Sequence, residues 1–200
     1  MAESDTSPLD ALIPESFELE SIDLVLIGVL AGMTAILDFI GVVAFPIGYG
    51  VSGFYVGAAF YCAFAIWFRW RALIALYVGL LIGAIITGQF NVFTFLLAWS
   101  NVVGAALVMV IFHVGRLDQA LSSARDYAGL GASALAYAVA SSSYFFGLNL
   151  ALGLIPPEAV LPGMSGWIIG NVVVILLIGS LLLKTVTPVV GQMSFYSRPA

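Results

Sequence analysis

Beyond an opening stretch dense in acids, the chain is a succession of long apolar runs separated by short polar or Gly/Pro-rich breaks. The runs fall at about residues 22–45, 52–68, 72–88, 91–114, 128–154 and 164–186. Most approach the ~20 residues that an α-helix needs to cross a hydrocarbon layer of ~30 Å. They are too long for buried strands and lack the alternation of half-buried ones. The pattern predicts an all-α fold: a polytopic transmembrane bundle of about six helices spanning 22–186, the fifth long enough to tilt or bend. Residues 1–21 and 187–200 are left as tails.

Composition strengthens this reading. Hydrophobic residues make up 62% of the chain and charged residues 8%, and the 21 glycines are spread through the apolar runs rather than gathered in linkers. Lys and Arg occur at Arg69, Arg71, Arg116, Arg125, Lys184 and Arg198, all on one side of the predicted bundle. The positive-inside rule places that side in the cytoplasm, and an even number of spans brings both termini there. The expected location is the cell (cytoplasmic) membrane, with the lipid bilayer as surroundings. The 1–21 tail carries Glu3, Asp5, Asp10, Glu15, Glu18 and Glu20 without a basic residue. It predicts a disordered cytoplasmic segment rather than a signal peptide, and its sign argues against nucleic-acid binding.

The first run holds the main chemical anomaly. At 100° per residue, Gly28, Ala31, Ala35 and Asp38 share one face of a helix. Small residues allow close helix approach, so Asp38 continues a packing stripe, about 10 Å below the outer surface at ~1.5 Å per residue. A carboxylate at depth costs at least ~2.5 kcal/mol and usually meets a cavity or a partner. Asn149 and Asn171 fall at similar depth on the fifth and sixth spans, and Asn101 lies deeper on the fourth. Together these residues form a polar layer with two readings: a ligand site, or an interhelical hydrogen-bond network that clasps the bundle. Tyr49, in the outer loop "FPIGYGV" (45–51), and Trp167 join them as candidate ligand contacts. Trp67, Trp70, Trp99 and Trp167 mostly lie near span ends, where interfacial anchoring is the ordinary role. Gly-x-x-x-Gly pairs at Gly53/Gly57, Gly79/Gly83 and Gly166/Gly170 predict compact packing.

Other chemistries fit poorly. Cys62 is the single cysteine, so no intramolecular disulfide or cysteine cluster forms. His113, the only histidine, has no ligating neighbour at i±3 or i±4, and no metal site or cofactor is expected. "GMSG" (163–166) matches the Gly-x-Ser-Gly of rhomboid proteases, but His113 precedes Ser165 and sits at the opposite membrane face, so no catalytic residue is assigned and no enzyme is expected. No phosphate-binding Gly-rich loop with Lys-Ser/Thr occurs, so ATP would be used by a partner. "GRLDQALSSARDY" (115–127) is spaced like a short amphipathic cytoplasmic helix.

With six spans, both ends inside and "AGMTA" in the first span, the chain resembles the substrate-binding S components of energy-coupling-factor transporters. The resemblance implies capture of a vitamin or similar small solute in an outward-opening pocket beneath the loop after the first helix. It also implies separate ATPases and a membrane coupling subunit. That subunit would touch the Ala-x-x-x-Ala pair matched by Ala31 and Ala35, with Gly28 on the same face. A competing resemblance, carried by residues 68–88, 100–112 and 166–190, is to MASE1-type membrane sensor domains, which implies signalling through a separate partner. A non-catalytic structural or assembly role is the third alternative.

Overall fold

The computed structural model describes residues 19–44, 46–48, 51–52 and 54–193, with backbone alone for the stretch before Phe54 that begins at residue 42. The chain is an all-α bundle with one small β-hairpin. Its helices are α1 (Ser21–Ala44), α2 (Gly57–Phe68), α3 (Trp70–Ile86), the short α4 (Thr94–Leu97), α5 (Trp99–Val114), α6 (Ala124–Ala151), α7 (Pro157–Val174) and α8 (Ser180–Val190). A π-helical stretch, Ile175–Gly179, joins α7 to α8. The strands β1 (Pro46–Gly48) and β2 (Val51–Ser52) pair antiparallel between α1 and α2. With α4 leading into α5, and α7 running through the π-turn into α8, six helical rods result among the described residues.

Three stretches are long and apolar enough to cross a membrane: Ser21–Gly41, Thr94–Val114 and Pro157–Val190. Large apolar side chains such as Leu24, Val25, Ile36, Ile85, Leu161 and Leu177 are exposed on the outside, as a lipid-facing exterior requires. These features define a membrane protein. In contrast, α2 is only 12 residues long, and every residue but Phe60 is buried. At ~1.5 Å per residue it extends for about 18 Å, short of the hydrocarbon thickness. It is the hub of the bundle, in contact with α1, α3, α5, α7, the π-turn and α8. Small residues make this possible: Ala58, Ala59, Ala63 and Ala65 present little bulk to the surrounding helices.

The small-residue stripe of α1 is used within the chain. Ala31 and Ala35 are 3% and 2% exposed, and α1 packs along α3. A Cβ on Gly79 would meet Thr34 Cβ at 2.5 Å and the Ala31 carbonyl oxygen at 2.6 Å, and one on Gly83 would meet Asp38 Oδ2 at 2.5 Å. The Gly79/Gly83 pair is therefore the groove that receives α1. The expectation that Ala31 and Ala35 face a separate coupling subunit is corrected on this ground, because α3 covers them. Gly28 stays exposed and a Cβ there would meet nothing within 4 Å.

Three further boundaries differ from expectation. The second helix begins at Gly57 rather than near 52, because the hairpin occupies part of the preceding chain. The sixth rod begins at Pro157, not 164: Pro156 caps it and Pro157 takes the first turn, where a missing N–H costs nothing and the fixed φ suits a helix. Residues 115–123 form turns instead of an amphipathic helix, and α6 starts with a capping box in which Ser123 and Asp126 bond each other's backbone N–H. Trp67 and Trp167 are buried at 3% and 8% exposure and so do not anchor at the interface, whereas Trp99 is 44% exposed.

The end of the bundle carrying the basic residues is tied by polar contacts. Arg71 Nε pairs with Asp23 at 2.5 Å, joining the start of α3 to the start of α1. Trp67 Nε1 donates to Thr187 Oγ1 at 3.0 Å, and that hydroxyl donates to the Gln119 carbonyl at 3.2 Å.

Candidate functional site

At the other end of the bundle a cavity of about 390 Å³ lies among the later turns of α1, α3 and α6, the short α4, the start of α5 and the second half of α7. Asp38, Asn101, Asn149, Trp167 and Asn171 all line it. The sequence put the four polar residues in one layer and added Trp167 as a candidate contact, without fixing which way their helix faces turned, and the fold brings all five to one cavity. Tyr49 lies outside the described residues. Gln89 and Asn91 from the α3–α4 connection and Leu154 from the α6–α7 connection also contribute, so the cavity sits beneath these two loops. No Lys, Arg or His lines it among the described residues.

Asp38 is half-buried and is held by a residue that the polar-layer argument passed over. Tyr55 donates its hydroxyl proton to Asp38 Oδ1 at 2.7 Å. The Tyr61 hydroxyl lies 2.6 Å from that of Tyr55, and since each phenol has one proton, Tyr61 is the donor of this second bond. The Tyr61–Tyr55–Asp38 chain runs from the buried hub helix to the cavity wall. Tyr55 is positioned by its place next to the start of α2, with Val56 alone between them. It packs over Gly57, whose missing side chain gives its ring room, because a Cβ there would meet it at 3.0 Å. The signal in the sequence was a hydroxyl-bearing side chain at the outer end of the second span, level with Asp38.

The asparagines are each held differently. Asn101 Oδ1 accepts from the buried Tyr137 hydroxyl at 2.6 Å. Asn149 Nδ2 donates to the Phe145 carbonyl one turn earlier at 2.8 Å. Asn171 is 3% exposed and its Oδ1 has no hydrogen-bond partner among the described residues. Buried polar atoms are almost always paired, so an orphan at a cavity wall calls for an explanation. Among the described residues the three asparagines are not bonded to one another; the bonds of this layer between chain segments run from Tyr137 on α6 to Asn101 on α5 and from Tyr55 to Asp38 on α1.

Trp167 donates its indole N–H to Ser141 Oγ at 2.9 Å. Its ring stacks on that of Phe145 with centroids 5.0 Å apart and planes inclined by 30°. Phe145 and Trp167 thus give the cavity an aromatic wall facing a set of oxygens and amides. At the rim, Asn91 closes on its own loop: its backbone N–H donates to Thr94 Oγ1 at 2.9 Å, and its Oδ1 accepts from the Phe93 N–H at 2.8 Å. The rim amide is thereby spent on loop structure, while the deeper groups are not.

No cluster of metal-ligating residues occurs among the described residues. The arrangement is suited to holding a small molecule by hydrogen bonds, charge and aromatic contact. No protein-family model, no curated protein and no solved structure matches this chain.

Proposed function

We propose that this protein is an integral membrane receptor for a small solute and that it serves as the substrate-capture subunit of an uptake transporter. Separate ATPase and coupling subunits would supply the energy, as in the energy-coupling-factor systems that the sequence resembles. The observation that carries the reading is the convergence of Asp38, Asn149, Asn171 and the Phe145–Trp167 stack on one cavity of about 390 Å³. That size lies within the ~300–1,000 Å³ typical of small-molecule sites.

Polarity supports the direction of capture. The described Lys and Arg residues are grouped at the far end of the helices from the cavity, so with the positive end in the cytoplasm the cavity opens outward. In this reading all six rods lie in the cell membrane, the three less suited by length or hydropathy being accommodated by the bundle. Coupling subunits would dock on surfaces other than Ala31 and Ala35.

Native mass spectrometry of the gently extracted full chain tests the proposal. The expected result is a retained small molecule that disappears in Trp167→Leu, together with co-purifying ATPase and coupling subunits. A folded protein that retains no molecule and binds none from a metabolite extract overturns solute capture. Retention without such subunits, or with a kinase in their place, overturns uptake and leaves capture standing.

A further inference from the structure

We propose that the cavity accepts a compact organic cation rich in N–H donors, with its charged group at Asp38 and a planar portion against Phe145 and Trp167. This assignment rests on the solute-binding reading above and adds the chemical class. It follows from counting what each wall residue has left to offer.

Asp38 receives Tyr55 on Oδ1, its Oδ2 lies close to Gly83 of α3, and the residue lines the cavity. Asn149 gives one of its two amide N–H bonds to the Phe145 carbonyl, which leaves its oxygen and one N–H. Asn171 contributes an Oδ1 that is buried and unpaired among the described residues. Asp38 only accepts, and Asn149 and Asn171 each carry an acceptor oxygen beside their amide N–H groups. Asn101 has its oxygen taken by Tyr137, leaving its amide N–H groups as donors. With a carboxylate as the charged group on its wall among the described residues, the site is complementary to a ligand that brings donors.

Charge narrows the class further. With no basic residue on the cavity wall among the described residues, a bound anion would meet Asp38 without a neutralising group. A neutral solute would leave the carboxylate with only the Tyr55 hydroxyl. A cation supplies the missing countercharge, which in a low-dielectric membrane interior is worth far more than in water. The aromatic wall points the same way, because the faces of Trp and Phe attract cations. Near the lower end of the usual range of site volumes, the cavity favours a small ligand.

The test uses three probes of one shape on the full chain in lipid nanodiscs: benzamidine as cation, benzamide as neutral molecule and benzoate as anion, compared by titration calorimetry. The expected result is that benzamidine binds at least tenfold more tightly than either of the others. Asp38→Asn should erase that preference, and Trp167→Leu should weaken benzamidine binding. The ranking in the unaltered chain needs no variant to fold. Asn149→Leu, which removes an acceptor without a charge, should reduce benzamidine binding by about tenfold, the equivalent of one hydrogen bond. Benzamide or benzoate binding as tightly as benzamidine overturns the cation class while solute binding stands. Where none of the three binds, the molecule retained in the mass spectrum decides: a cation with N–H donors supports the class and a neutral or anionic molecule overturns it. An empty protein overturns both the class and the solute-binding reading.

Discussion

Tyr55, two positions before the first residue of the central helix, donates a 2.7 Å hydrogen bond to Asp38 on the first helix, and so joins the hub of the bundle to the one acid on the cavity wall among the described residues. The bond gives Asp38 a fixed position and satisfies one of its oxygens from within the chain. Its other oxygen lies close to Gly83 in the α1–α3 groove.

The first prediction concerns that bond. Tyr55→Phe removes the donor and leaves Asp38 without its partner, at a cost of about 1.5–3 kcal/mol, the usual value for a hydrogen bond to a charged group. Asp38→Asn should cost less, because the amide oxygen still accepts from Tyr55. Unfolding in mixed detergent, followed by circular dichroism, should place the midpoints in the order unaltered chain, Asp38→Asn, Tyr55→Phe. The reverse order would show that the bond does not hold the site.

The second concerns the α1–α3 groove. Gly79→Ala drives a methyl group into Thr34 and the Ala31 backbone, and overpacking of this kind typically costs about 1–3 kcal/mol. Gly28→Ala and Gly32→Ala meet nothing within 4 Å, and Gly to Ala inside a helix gains about 0.5–1 kcal/mol. The same unfolding assay should separate the two groups in sign. Equal effects would mean that α1 and α3 are not in close contact.

Much of this architecture was legible in the sequence because lipid imposes a simple rule: backbone groups must be paired within a segment, so apolar runs become helices. The first rod is placed to within a residue or so of the apolar run. The boundaries that moved did so for local reasons that hydropathy does not register, such as Pro157 serving as a helix start and the hairpin shortening α2. The layer of Asp38, Asn149 and Asn171 was legible because depth follows from residue count. The direction in which α1 turns its small residues was not, since lipid, a partner helix and α3 all accept the same Ala-x-x-x-Ala face. Tyr55 was missed because its bond to Asp38 crosses between chain segments, and periodicity within one helix carries no record of such a pair.

The third prediction concerns pH. The hydrogen bond from the Ser123 hydroxyl, followed by those from the backbone N–H groups of Asp118 and Ser123 and by the nearby Arg125 charge, holds the Asp126 carboxyl below its ordinary range, although burial opposes this. A carboxyl depressed in the folded state adds stability above its unfolded pKa of about 3.9, and that contribution is lost as pH falls through the folded value. Asp126→Asn should therefore be less stable than the unaltered chain at pH 7, and the gap should narrow as pH drops below about 4. Detergent unfolding midpoints of both proteins between pH 3 and pH 7 give the comparison. A gap that is constant across that range would remove the capping-box ion from the account of α6.

The fourth prediction sets stability against binding at Asn171. Its unpaired Oδ1 is a burden on the empty protein, since an unsatisfied buried acceptor costs about 1–3 kcal/mol. Asn171→Leu keeps the number and branching of side-chain heavy atoms and removes the polar ones, so the ligand-free protein should unfold at higher detergent fraction than the unaltered chain. The same substitution removes an acceptor from the cavity, and retention of the solute in native mass spectrometry should fall. Opposite movement of the two readouts is the signature of a polar group kept for its ligand at the expense of the fold. If Asn171 were instead part of the helix packing, stability and retention would fall together.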